Sequence, residues 1–218
     1  MSPVSTIFRH EIRLVFREPR FWIPFLLPPI FLILMQVTVL SQFSGAASAF
    51  EPGMLLIIGA LLATMTVTLT ADSFAGERER NTLELLLCLP ITLKQLFWGK
   101  LLALLPLPLL LAILAQSLLW WLSSSMSSPI YLLQAILYAI SVCLSITGVA
   151  LLVSLFAHTV RSAAQSNVIF VLGVLLGTQA LSGRYFLAPF IPWIILPSAL
   201  GLFFLLTWIA LKRFERMN

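Results

Sequence analysis

Long uncharged runs separated by short charged islands set the pattern of this chain. Residues 21–50, 52–71, 101–160, 162–183 and 185–211 contain no Asp, Glu, Lys or Arg. A membrane-crossing helix needs about 20 apolar residues, each rising about 1.5 Å. The run 101–160 is long enough for two crossings, and SSSMSSP at 123–129 has the composition of a hairpin turn between them. The pattern predicts an all-α integral membrane fold, one transmembrane domain over 1–218. Its six transmembrane helices are expected at about 21–41, 53–71, 101–122, 131–157, 164–181 and 191–211.

Two polar stretches interrupt this pattern. In the first, Phe8, Ile12, Val15 and Phe16 recur at helical spacing, while Arg9, Arg13 and Arg17 follow one another at i, i+4 on another face. The spacing predicts an amphipathic interfacial helix within 1–20, stopped by Pro19 and lying in the inner headgroup layer. Such a helix serves either as a simple basic anchor or, in addition, as the border of a docking site. The second stretch, 72–100, includes GERERNTLELLLCLP at 76–90.

Composition changes the picture only by excluding a soluble protein. The chain is 60% hydrophobic and 10% charged, against roughly 25% charged residues in soluble domains. Its mean hydropathy is +1.04. Lys and Arg near span ends accumulate on the cytoplasmic side. A cytoplasmic N-terminus places all of the 13 basic residues except Arg184 inside, so both termini are expected in the cytoplasm. The net charge of +5 is then explained by inside loops facing anionic lipid, with no need of nucleic acid. The first apolar run is too long for a signal h-region and lacks a small-residue cleavage site, so it is expected to stay as the first span. The outside loops, at about 41–51, 123–130 and 182–190, are too short to fold a separate domain. A soluble partner is therefore expected to dock from the cytoplasm.

The stretch 72–100 carries four charges of each sign: Asp72, Glu77, Glu79 and Glu84 against Arg78, Arg80, Lys94 and Lys100. Balanced charge suits a protein contact better than a lipid surface. Asn81 followed by Glu84 is a variant of the capping box, predicting a short helix that stops before Pro90. Thr92 and Gln95 repeat the pattern and predict a second helix carrying Lys94, Phe97, Trp98 and Lys100 into the third span. Two capped helices around a proline make a stiff bracket, one that transmits force.

The run DSFAGERERNTLELLLCLPITLKQLFWGKLLA at 72–103 resembles the signature of ABC-2-type transporter permeases. The matching positions are Glu77, Arg78, Glu79, Thr82, Leu83, Glu84, Leu86, Pro90, Gly99 and Lys100. Pro52-Gly53 before the second span, Arg-Glu-Pro-Arg at 17–20, six spans and the length extend the likeness over essentially the whole chain. Asn81 departs from a position where Gly is common in relatives, but Asn tolerates unusual backbone angles and caps well.

The resemblance implies the permease of an ABC exporter in the bacterial inner membrane. It implies pairing with a second copy or a paralogue, and binding to a dimer of a separate cytoplasmic ATPase that holds ATP and Mg. The coupling element would be the cytoplasmic helix between spans two and three, with Gly76, Glu77, Arg78, Glu79, Arg80, Asn81, Thr82, Leu83, Glu84, Leu86 and Pro90 as its residues. Narrower or different readings are a haem-exporter-like permease of cytochrome c maturation, and a non-transporting membrane component of a signalling or assembly complex.

No cofactor is expected on this chain. The sequence contains no G-x-x-x-x-G-K-[ST], and Gly99-Lys100 lacks the earlier glycine and the following hydroxyl residue of a phosphate loop. Enzymatic motifs such as HExxH and G-x-S-x-G are also absent, His10 and His158 are the only histidines, and no catalytic or metal-binding group is expected. Cys88 and Cys143 are far apart in sequence, and Cys88 is expected as a free reduced thiol packing as a small apolar group rather than in a disulfide. The span interiors offer neutral polar groups in place of the ionisable ones that couple ions in secondary transporters. Most are expected to bond between helices or to their own backbone, with Thr66, Thr68, Gln116 and Asn167 as candidates for an uncharged cargo path suited to an amphipathic or lipid-like substrate. Pro24, Pro28, Pro29, Pro106, Pro108, Pro192 and Pro197 each remove a backbone donor and can kink a span, although prolines are in any case more frequent in membrane helices.

Overall fold

The computed structural model describes residues 3–17, 30, 34, 47–80, 92–122, 129–185 and 191–216. Among them every regular element is helical. The helices are α1 (Pro3–Arg17), α2 (Ala47–Thr64), α3 (Thr66–Ala71), a π-helical turn (Asp72–Gly76), α4 (Glu77–Glu79), α5 (Leu93–Leu104), α6 (Pro106–Leu122), α7 (Pro129–Phe156), α8 (Val160–Tyr185) and α9 (Ile191–Arg216).

Five helical stretches are long and apolar enough to cross a membrane: Leu55–Glu79, Lys94–Trp121, Pro129–Phe156, Val160–Ala180 and Trp193–Arg213. They correspond to expected spans two to six. The expected first span, with Pro24, Pro28 and Pro29, lies outside the described residues apart from Ile30 and Leu34.

Local chemistry explains the ends and breaks. Thr92 caps α5 with the expected box: its hydroxyl accepts from the Gln95 backbone N–H at 3.3 Å, and Gln95 Oε1 accepts from the Thr92 N–H at 3.1 Å. Leu105 separates α5 from α6, and Pro106 takes the first position of α6, where its missing N–H costs nothing. Pro197 lies inside α9. The helix of span two does not end at residue 71 but continues to Glu79, with a break at Met65 and a widened turn at Asp72–Gly76. Around the break, Thr64, Thr66, Thr68 and Thr70 each donate to a carbonyl three or four residues back. Such back-bonding bends helices.

The core lies where α2 and α3 pack against α6 and α7. Gly59, Ala60, Ala63, Ala115, Ala135 and Ala139 are all buried, and small residues let helices approach closely without the hydrophobic drive available in water. Gln116 is fully buried there, and its Nε2 donates to the carbonyls of Leu55 (3.0 Å) and Ala135 (3.2 Å), linking three helices. A Cβ on Gly59 would lie 2.3 Å from that nitrogen. Gly59→Ala is therefore expected to destabilise by about 1–3 kcal/mol through overpacking. Gln116→Ala in the same chain should restore much of the loss, and thermal unfolding in detergent checks both. A Gly59→Ala protein as stable as the parent would remove this account of the glycine.

Candidate functional site at the charged end of the bundle

The charged end is organised around Lys100, whose side chain is 1% exposed. An ammonium has three N–H donors, and three acceptors meet them. They are Glu11 Oε1 at 2.8 Å, the Ser73 carbonyl at 3.1 Å and Glu77 Oε1 at 2.5 Å. The Phe74 ring adds a face 5.4 Å from Nζ. A buried charge is tolerated only when paired and hydrogen-bonded, and here the pairing comes from two other helical segments. One nitrogen atom thus joins α1, the end of span two and the base of span three.

Gly99 makes this junction possible. A Cβ there would sit 2.9 Å from Ile7 Cγ2, so the missing side chain lets α1 close on α5. Ile7 and Glu11 are one helical turn apart and share a face. Seating Ile7 over Gly99 delivers Glu11 to Lys100. Around the contact Phe74, Leu96, Phe97 and Leu101 are buried against Leu151, Leu155 and Phe203.

The three charges of Glu77-Arg78-Glu79 then go to three different places. Glu77 meets Lys100. Arg78 Nη1 donates to the carbonyls of Leu155 (3.2 Å) and Ala157 (2.9 Å), at the C-terminus of α7. Glu79 Oε2 accepts from the Val160 N–H at 3.0 Å, at the N-terminus of α8. A cation at the negative end of one helix dipole and a carboxylate at the positive end of the next are both favourable. The short connection 157–159 is therefore pinned from both sides. Arg80 pairs with Asp72 at 3.2 Å on the exposed side. Gly76 keeps the space for that carboxylate, because a Cβ would lie 2.4 Å from Asp72 Oδ1.

The widened turn has its own partner. Ser154 of α7, fully buried, accepts from the Ala75 N–H at 3.1 Å and donates to the Ala71 carbonyl at 3.4 Å.

Of the residues expected to couple the chain to a partner, Gly76, Glu77 and Arg78 are turned into this network, while Glu79 and Arg80 are exposed. Asn81, Thr82, Leu83, Glu84, Leu86 and Pro90 lie outside the described residues, as does Cys88. On α1, Arg9 and Arg13 are exposed; Arg17 belongs to the helix, with its side chain outside what is described.

The candidate cargo-path residues differ in burial and in bonding. Thr66 and Gln116 are fully buried, and Thr66 bonds the Ala63 carbonyl. Thr68 is exposed and bonds the Met65 carbonyl. Asn167 is 1% exposed, with neither amide atom bonded among the described residues. An uncharged groove of about 520 Å³ opens between α7, α8 and α9, lined by Tyr138, Ser141, Ser145, Gly177 and Ser198 among others. None of the four candidates lines it.

Sequence reasoning missed Glu11, Ser73 and Ser154. Glu11 carried a signal, being the only acid in α1, while Lys100 opens an apolar run and must find a counter-charge. The Ser73 carbonyl and the Ser154 hydroxyl gave none.

A family profile described as ABC-2 family transporter protein matches residues 5–200. No curated protein matches the chain. The matched segment begins inside α1, contains all of the charged network and reaches into α9. With its series of apolar helices long enough to cross a membrane, the chain belongs to the ABC-2 family of transporter proteins, as a multi-pass membrane permease.

Proposed function

We propose that this chain is the permease subunit of an ATP-driven exporter in the bacterial inner membrane, with both termini in the cytoplasm. It pairs with a second copy or a paralogous permease and receives a separate ATPase dimer at residues 76–90 and along α1. The observation that supports this most is the division of labour at residues 77–79. Three consecutive charges hold three different parts of the bundle: the junction of α1 with α5, the end of α7 and the start of α8. A push on the adjoining segment 81–90 is passed to several spans at once, as a coupling element requires. Lys100 extends the same push to α1 and span three.

In this reading the chain contributes no catalytic group. It converts a partner's closure into helix movement, and its neutral polar interior suits an amphipathic or lipid-like cargo. Tagged protein extracted in mild detergent should carry a cytoplasmic ATPase. Reversing Glu77, Glu79 or Glu84 to Lys should lower the ATP hydrolysis of that complex severalfold. Extraction without any ATPase, or hydrolysis indifferent to all three reversals, would sink the proposal.

A further inference from the structure

Among the serine and threonine hydroxyls of α7, Ser154 is the one that turns to a neighbouring helix. Ser141, Ser145 and Thr147 each donate to a carbonyl four residues back on α7. Ser154 instead bonds to both Ala71 and Ala75 of span two. In a regular α-helix the N–H of residue 75 would bond the carbonyl of residue 71 directly. The hydroxyl stands between these two groups, accepting from one and donating to the other.

A side chain inserted into the i→i−4 ladder opens a helix locally, and the turn opened here is the π-helical Asp72–Gly76. Such a turn accommodates one residue more than an α-turn. Each α-helical residue advances the chain by about 100°, so closing the turn would rotate everything after it by about that angle. The residues after it are Glu77, Arg78 and Glu79. Rotated, they would swing away from Lys100, from the end of α7 and from the Val160 N–H.

From this geometry we infer that Ser154 is a positioning residue: it holds the turn open and thereby sets the register in which Glu77, Arg78 and Glu79 reach their three targets. The effect on register is independent of the proposed function; the effect on ATP hydrolysis rests on it.

The test uses the full-length chain in its native membrane. Glu79→Cys and Val160→Cys are bridged by a short bis-thiol reagent, reporting whether residue 79 still faces the start of α8. The bridge is expected to form with Ser154 present and to be lost in Ser154→Ala. Deleting Ala75 from the Ser154→Ala chain removes the additional residue, lets the turn close as α-helix and should bring the bridge back. Bridging in Ser154→Ala equal to that of the parent overturns the inference, because the turn then stands without the hydroxyl. A loss that the deletion does not repair also overturns it, because Ser154 then acts through packing alone. ATP hydrolysis by the complex, measured with residues 79 and 160 unaltered, should follow the same loss and recovery. If bridging follows the pattern while hydrolysis is indifferent, the register role of Ser154 stands and the coupling proposal fails.

Discussion

Lys100→Gln is expected to give a protein that assembles poorly and unfolds on the order of 10 °C below the parent. The substitution leaves Glu11 and Glu77 facing one another without the cation that both contact. Breaking a buried ion pair by removing one partner costs about 3–5 kcal/mol, much of it from the charge left behind. For a chain of this size each kcal/mol moves the midpoint by about 2–4 °C. Neutralising all three groups, as Glu11→Gln, Glu77→Gln and Lys100→Met, removes the orphaned charge and should recover much of the midpoint. It should not recover coupling, since α1 and span two then lose their common anchor. Thermal unfolding beside ATP hydrolysis separates the two effects. A Lys100→Gln protein with the midpoint of the parent would show that the ammonium is not the junction described.

The second large effect concerns the order of charges at residues 78 and 79. Exchanging them, Arg78→Glu with Glu79→Arg, preserves net charge and the adjacency of opposite signs. It nevertheless places a carboxylate against the C-terminal carbonyls of α7 and a cation against the N-terminus of α8. Each reversed dipole interaction is worth about 0.3–1 kcal/mol, up to about 2 when partly buried. Each lost hydrogen bond to a charged group adds about 1.5–3 kcal/mol. The exchange should therefore destabilise by about 3 kcal/mol or more, and by more than Arg78→Gln alone. If the pair served only as neighbouring surface charges, the exchange would be nearly neutral. Unfolding midpoints of the single and exchanged variants decide between the two.

Much of the fold was legible because membrane helices announce themselves by composition. The uncharged runs located five helical stretches long and apolar enough to cross a membrane, and the Thr92–Gln95 box located the start of α5 as it stands. The continuation of span two to Glu79 was hidden because charged residues read as loop, although they extend a helix when its last turns find counter-charges. The break at Met65 comes from hydroxyls that bond their own backbone, and periodicity does not register such bonds. At the site, the motif residues were visible and their directions were not. Glu77 and Arg78 stood out as charges in an apolar chain, but that they also hold helices together was not visible. Contacts such as Glu11 to Lys100 span 89 residues, and no local pattern encodes them.

The central claim is that α1, the charged turn of span two and the base of span three form one unit clamped at Lys100. A Cβ on Gly99 would stand 3.0 Å from Ile7 Cβ, close to the 3.5–4.5 Å across which disulfides form. Ile7→Cys with Gly99→Cys, oxidised in native membranes, should therefore cross-link readily, and the cross-linked complex should hydrolyse ATP at close to the parental rate. Failure to cross-link, or hydrolysis abolished by the bond and restored by reduction, would contradict the claim, since α1 would then sit elsewhere or move against α5 during the cycle.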